Sequence, residues 1–272
     1  MRDMSKNLKV LDLFSGIGGF SLGLERAGME TVAFCEADPH ARAILKKHWP
    51  DVPIHDDVRT LDGKQYRGTV DLICGGFPCQ DISVAGGQAG LDGERSGLWR
   101  EYRRLVREIR PQWVIIENVS ALRSNGLVSV LQDLWEIGYD AEWHCIPASA
   151  VGATHRRDRI WIVANPSREG WEERLIERQA VSVSDEKKIT RLGHNSVHEW
   201  LSEWCGSRVV RNCDGIPHRV DRLRRLGNAV VPQIPEAIGR AILNVERAAT
   251  ECRTPRDLEG WKEISRLRHN EA

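Results

Sequence analysis

Four residues have the types and spacing for nucleophilic and acid–base work. Cys79 stands in GGFPCQ (75–80), where two glycines and a proline fix a turn at the end of the apolar run TVDLICGG (69–76). A thiol presented at such a turn can ionise and attack, although a cysteine taken by itself is ordinarily an inert buried thiol. Glu117, in ENV (117–119), ends the next apolar run, PQWVIIENV (111–119), and so falls beside Cys79 if the two runs are neighbouring strands. A carboxylate there is costly unless it is used or paired. HRRDR (155–159) then carries Arg157 and Arg159 at alternate positions. On an extended segment both would point the same way and bring two cations toward the thiol and the acid, and nearby cations favour the thiolate.

A second group of residues suits ligand binding. DLFSGIGGF (12–20) is a glycine-rich turn after an apolar run, where missing side chains let a ligand approach the backbone and a helix N-terminus offers amide hydrogens. A nicotinamide-type G-x-G-x-x-G needs glycine at position 21, where the chain has Ser21. Glu36 ends the second apolar run and is placed to accept hydrogen bonds from ribose hydroxyls. Asp57, in HDDVR, could accept from an adenine amino group. The alternative for both acids is a helix cap or a solvated loop.

The elements that must position these groups follow a repeated pattern. The runs at 8–14, 31–38, 69–76 and 111–119 each lead into a turn or loop and then an amphipathic stretch, the later three being PHARAILKKHW, SGLWREYRRLVREIR and LVSVLQDLWEIG. Strands alternating with helices predict an α/β fold, with a parallel sheet covered on both faces. YDAEWHCI (139–146) and RIWIVA (159–164) read as two further strands pairing as a hairpin at the sheet edge. Residues 232–249 recover helical periodicity, with Ile234, Ile238, Ile242 and Val245 on one face, and should pack back on the first domain.

Composition narrows the classes. The 272 residues allow one large domain and a small insert, and a hydrophobic fraction of 41% is ordinary for a folded core. Lys+Arg and Asp+Glu are both 39, so any basic footprint for nucleic acid must be local, as in HRRDR and HRVDRLRR (218–225). Neither a signal peptide nor a membrane span is evident, and a cytoplasmic protein without membrane partners is expected. Seven cysteines without a CxxC pair suggest neither a disulfide framework nor a metal site.

In their order along the chain, DLFSGIGGF, Glu36, DD (56–57), GFPCQ, ENV, HRRDR and LGNAVVP (226–232) resemble the motifs of the cytosine-5 DNA methyltransferases. The resemblance covers roughly residues 8–164 and 216–245. It implies a Rossmann-like methyltransferase sheet with a small irregular target-recognition insert. It also implies S-adenosylmethionine as methyl donor, no metal, and a site lined by Phe14, Gly16, Ile17, Gly18, Gly19, Glu36, Asp57, Phe77, Asn228 and Ala229, with Phe14 packing on adenine. Cys79 then matches the nucleophile, Glu117 the residue that binds the cytosine ring nitrogen and amino group, and Arg157 and Arg159 the active-site arginines. Pro78, Gln80, Ser83 and Asn118 are the expected substrate contacts. His155 stands where many members have glutamine, and Ala229 where serine is usual.

The expected organisation is a discontinuous catalytic domain (1–164 and 216–249), an insert at 165–215 and a tail at 250–272. Double-stranded DNA is the expected partner of a monomeric enzyme, with room for a cognate restriction enzyme. Its target base would be flipped out of the stack, and the Gly-rich segment 81–97 has the composition of a loop that closes over it. Trp200 and Trp204 suit a small core within the insert. Three rivals are a transfer-RNA methyltransferase, whose CFT segment is absent here, a binding-only relative, against which stand Cys79, Glu117 and both arginines, and a nicotinamide oxidoreductase, disfavoured by Ser21.

Overall fold

The computed structural model describes residues 7–78, 97–124, 126–153, 157–167 and 229–251. Its strands are β1 (Lys9–Leu13), β2 (Glu30–Cys35), β3 (Ile54–His55), β4 (Leu72–Gly75), β5 (Trp113–Val119), β6 (Tyr139–Pro147) and β7 (Asp158–Pro166). Its helices are α1 (Gly19–Ala27), α2 (Pro39–His48), α3 (Gly97–Ile109), α4 (Leu127–Glu136) and α5 (Gln233–Glu251). The strands form one seven-stranded sheet in the order β3-β2-β1-β4-β5-β7-β6. The first five are parallel, and β7 runs antiparallel to both β5 and β6. The expected hairpin therefore exists, and it makes the sheet mixed rather than wholly parallel.

Strand residues alternate between two cores, because successive side chains leave a strand on opposite faces. Leu11, Ile73, Val114, Ile116, Ile160 and Ile162 pack with Trp99, Tyr102 and Leu105 of α3 and with Val130 and Leu134 of α4. Val10, Leu72, Ile115, Trp161 and Val163 pack with Phe20 and Leu24 of α1 and with Ile234, Ile238 and Ile242 of α5. Both faces are covered, which is why the central strands read as apolar runs without polar alternation. α5 sits against α1 through close backbone approach: a Cβ on Gly23 would lie 2.2 Å from the Pro232 carbonyl oxygen.

The strand order reverses between β1 and β4, and the carboxyl ends of the parallel strands at such a switch point are where open α/β sheets hold ligands. The glycine-rich turn, Glu36, Asp57, the Gly76–Pro78 turn and Glu117 all come from that edge. Because β7 is antiparallel, its N-terminal end reaches the same edge, with Arg159 opposite Val119.

Candidate active site

The turn after β1 is held from below. Phe14 has φ 53 and Gly16 φ 55, left-handed conformations in consecutive parts of one tight turn. Two acceptors on the next strand pin this turn. Ser15 donates its amide to the Cys35 carbonyl at 3.3 Å, and Gly16 donates its amide to Glu36 Oε2 at 2.7 Å. Glu36 Oε1 accepts from the Asp38 amide at 2.8 Å, so this carboxylate braces both the turn and the start of α2. Its oxygens keep lone pairs for further donors. A Cβ on Gly16 would meet nothing within 4 Å, which leaves open space above the turn, whereas one on Gly18 would strike the Trp49 ring at 2.6 Å and one on Gly19 the Val230 carbonyl oxygen at 2.6 Å.

Beneath the turn lies a group to which the sequence reading gave no role. Asp12 is fully buried, and its Oδ2 accepts from Ser21 Oγ at 2.8 Å. The Ser21 backbone amide and the Cys74 thiol also face it. Burial pushes its carboxyl up to about 7, the Ser21 bonds opposing the shift. Asp12 thus caps the first turn of α1 from a neighbouring strand, and Ser21, where a dinucleotide fold would carry glycine, supplies a hydroxyl to it. The available signal was an acid within the apolar run LKVLDLF.

Asp57 lies in an exposed loop, its Oδ1 accepting from the Arg59 amide at 2.9 Å and its carbonyl from Thr60 Oγ1 at 3.1 Å. In these contacts it behaves as the loop cap weighed from sequence, with Oδ2 3.8 Å from the Arg59 guanidinium.

On the other side of β1 the expected chemistry gathers. Gly75 and Ile116 are paired across β4 and β5, and a Cβ on Gly76 would lie 2.7 Å from Glu117 Oε2. Glu117 lies two residues before the end of β5, buried, and therefore beside the turn that leads into Cys79. Asn118 donates from Nδ2 to the Phe77 carbonyl at 3.0 Å and bonds Val119 through Oδ1 at 2.9 Å, so it braces that turn. Phe77 is buried and Pro78 exposed.

Arg159 Nε is 3.0 Å from Glu117 Oε1. Arg157 precedes β7 and donates from Nη1 to the Ala229 carbonyl at 2.7 Å, tying the arginine segment to the segment before α5. The acid responds to both: burial pushes the Glu117 carboxyl above its ordinary value, and the Arg159 and Arg157 charges partly oppose this. Burial also lowers the Arg157 guanidinium, helped by Arg159 beside it, while Glu117 pulls the other way. Glu117, Arg157, Arg159 and the Phe77–Pro78 turn are thus together, as expected. Cys79, Gln80, Ser83, His155, Asn228, the 81–97 loop apart from Gly97, nearly all of the insert, the 218–225 basic segment and all but the first two residues of the tail lie outside the described residues.

Comparison with known proteins identifies the family. The family model described as C-5 cytosine-specific DNA methylase matches residues 8–204, and the chain belongs to that family. It is similar to the Type II methyltransferase M2.BsuMI of Bacillus subtilis (strain 168), with 40% identity over 166 residues, 58% of this chain and 42% of that protein. It is also similar to the Type II methyltransferase M.NgoMIV of Neisseria gonorrhoeae, with 28% identity over 302 residues covering 86% of this chain and 96% of that protein. The matched stretch spans about two fifths of the first relatives, 42%, 39% and 40% of their lengths. Among solved structures, the S. pombe Dnmt2 methyltransferase shares the fold, with TM-score 0.53 and 16% identity over 90% of this chain and 99% of that one.

Proposed function

We propose that the chain transfers a methyl group from S-adenosylmethionine to carbon 5 of cytosine in duplex DNA, through a covalent bond between Cys79 and the base. The observation that carries this reading is the Glu117 cluster. A buried acid with a raised pKa lies against Gly76, three residues before Cys79, and is paired with an arginine 3.0 Å away. Family membership supports it over residues 8–204, and the names of the relatives speak of methyltransferases.

Carbon 5 of cytosine is a poor nucleophile, and adding a thiolate to carbon 6 turns the adjoining carbon into an enamine carbon. Cys79 is the thiol for that addition, and breaking its bond to carbon 6, with loss of the carbon 5 proton, restores the aromatic ring. Glu117 in its neutral form donates to ring nitrogen 3 as negative charge develops on the pyrimidine, and an arginine of the pair faces the carbonyl oxygen. Reaching these groups requires flipping the base out of the stack. The glycine-rich turn fits a nucleoside-bearing ligand: the space above Gly16 is open, Glu36 has lone pairs to spare, and Phe14 offers a ring. When bound, S-adenosylmethionine supplies an electrophilic methyl group.

The test is methyl transfer from radiolabelled S-adenosylmethionine to duplex DNA and to transfer RNA, measured side by side. Label in the DNA alone, recovered as 5-methylcytosine, is expected; label in RNA alone, or in neither, overturns the reading.

A further inference from the structure

Helix α3 touches both expected walls of an adenine site from behind, and no motif in the sequence announces it. The loop carrying Asp57 follows β3, only two residues long, so the sheet does little to hold it. Arg104 of α3 takes over. It donates from Nη2 to the Val58 carbonyl at 2.9 Å and from Nη1 to the Leu61 carbonyl at 3.1 Å. Its own guanidinium is fixed by Glu101 at 2.6 Å and Glu108 at 2.9 Å, and Glu108 Oε2 accepts the Gly63 amide at 3.0 Å. Val58 and Leu61 are buried in the same core as α3.

From the same helix, fully buried Tyr102 lays its ring almost parallel to Phe14, with centroids 6.4 Å apart and 13° between planes. Its hydroxyl donates to the Ile115 carbonyl at 3.1 Å, and Trp99 lies against its ring at 5.7 Å. Phe14 needs such support, because its φ of 53 is a conformation that bulky L-residues adopt only when neighbours hold it.

We propose that Arg104 and Tyr102 are positioning residues for the adenine end of the cofactor site: Arg104 sets the loop that presents Asp57, and Tyr102 sets the ring of Phe14. This rests on the S-adenosylmethionine reading above. It assigns adenine selectivity to two residues that act on the site through Phe14 and the Asp57 loop. The planar fork of Arg104 reaches two carbonyls at once, which a lysine ammonium cannot do with the same geometry.

The experiment measures dissociation constants of S-adenosylhomocysteine and of S-inosylhomocysteine, which carries a 6-oxo group in place of the 6-amino group. Wild type, Arg104→Gln, Arg104→Lys and Tyr102→Leu are compared, with thermal midpoints recorded in parallel. Wild type should prefer the adenine compound by about tenfold or more, as a lost and mismatched hydrogen bond does. In Arg104→Gln the preference should shrink to within about threefold, with KM for the donor raised and kcat at saturation kept, the pattern of lost binding rather than lost chemistry. Tyr102→Leu should weaken both compounds alike, because a ring face does not read the 6-substituent. A purely structural role would lower the thermal midpoint and leave the preference intact, and that result in a folded Arg104 variant overturns the proposal. Should Arg104→Gln not fold, the same preference read in Arg104→Lys decides. Wild type that binds neither compound overturns the cofactor reading itself, and wild type that binds both equally overturns only the adenine assignment.

Discussion

Glu117 is the residue where burial and charge compete, and the outcome decides how the site works. Burial favours the neutral acid and the two arginines favour the carboxylate, with the net direction upward. A group needed as a donor then functions below its raised pKa and fails as pH rises through it. We therefore expect kcat in single turnover to fall on the alkaline side for wild type. Glu117→Gln, which cannot titrate, should lose about 10²-fold in rate with that limb flattened while S-adenosylhomocysteine binding stays within about twofold of wild type; an unchanged pH profile in the variant would contradict the role. Asp12 gives a stability prediction of the same sign. Its pKa is raised from 3.8 to about 7, so the folded state binds its proton more tightly than the unfolded chain. The stabilisation it contributes is full below about 4 and is lost as pH rises toward 7. Urea midpoints of wild type should fall across that window and those of Asp12→Asn should change less; equal slopes would show that the buried carboxyl does not titrate there. Both acids were visible in the sequence as charges set in apolar runs. Only Glu117 drew a role, because its partner strand and turn could be placed from spacing, whereas the Ser21 partner of Asp12 depends on how α1 lies under the turn.

At the scale of elements, spacing located nearly every strand and helix and the edge hairpin, and the pairing of that hairpin with β5 was the part it left unstated. The apolar runs before Phe14, Glu36, Gly76 and Glu117 became β1, β2, β4 and β5, and the hairpin became β6 and β7. The run of bases at 155–159 shows no sign in itself that β7 would insert next to β5, yet that antiparallel insertion is what brings Arg159 to Glu117. Arg104 was equally silent, since two acids at i−3 and i+4 read as an ordinary solvated helix face and its bonds to Val58 and Leu61 depend on tertiary placement. The docking of α5 on α1 is likewise a matter of close backbone approach. Gly23→Ala puts a Cβ 2.2 Å from the Pro232 carbonyl oxygen, and α5 must move. Overpacking of this kind costs about 1–3 kcal/mol. A drop of that size should appear in chemical denaturation, and a variant as stable as wild type would show that α5 is held elsewhere.

At the scale of the whole molecule, the expected division of labour separates chemistry from readout. The described residues that carry the cofactor turn, Glu117 and the arginines all lie outside 166–215, so exchanging that segment for the insert of a relative should change which cytosines are methylated and leave the reaction intact. Each bidentate base contact contributes about 1–3 kcal/mol of discrimination, and an insert this small should read a site of about two to five base pairs, checked by bisulfite sequencing of DNA methylated in cells. A swapped enzyme that stays active on the parental site would move readout to another segment. Among the described residues no helix is long and apolar enough to cross a membrane. The central claim, that Cys79 bonds to the target cytosine, is tested most directly by duplex DNA carrying 5-fluorocytosine, whose fluorine cannot leave as the proton does and so blocks elimination after methyl transfer. With S-adenosylmethionine present, mass spectrometry of the digested complex should find the methylated fluorocytosine adduct on the peptide containing Cys79, and Cys79→Ala should form none. An adduct on any other residue, or full methylation by Cys79→Ala, would contradict the account.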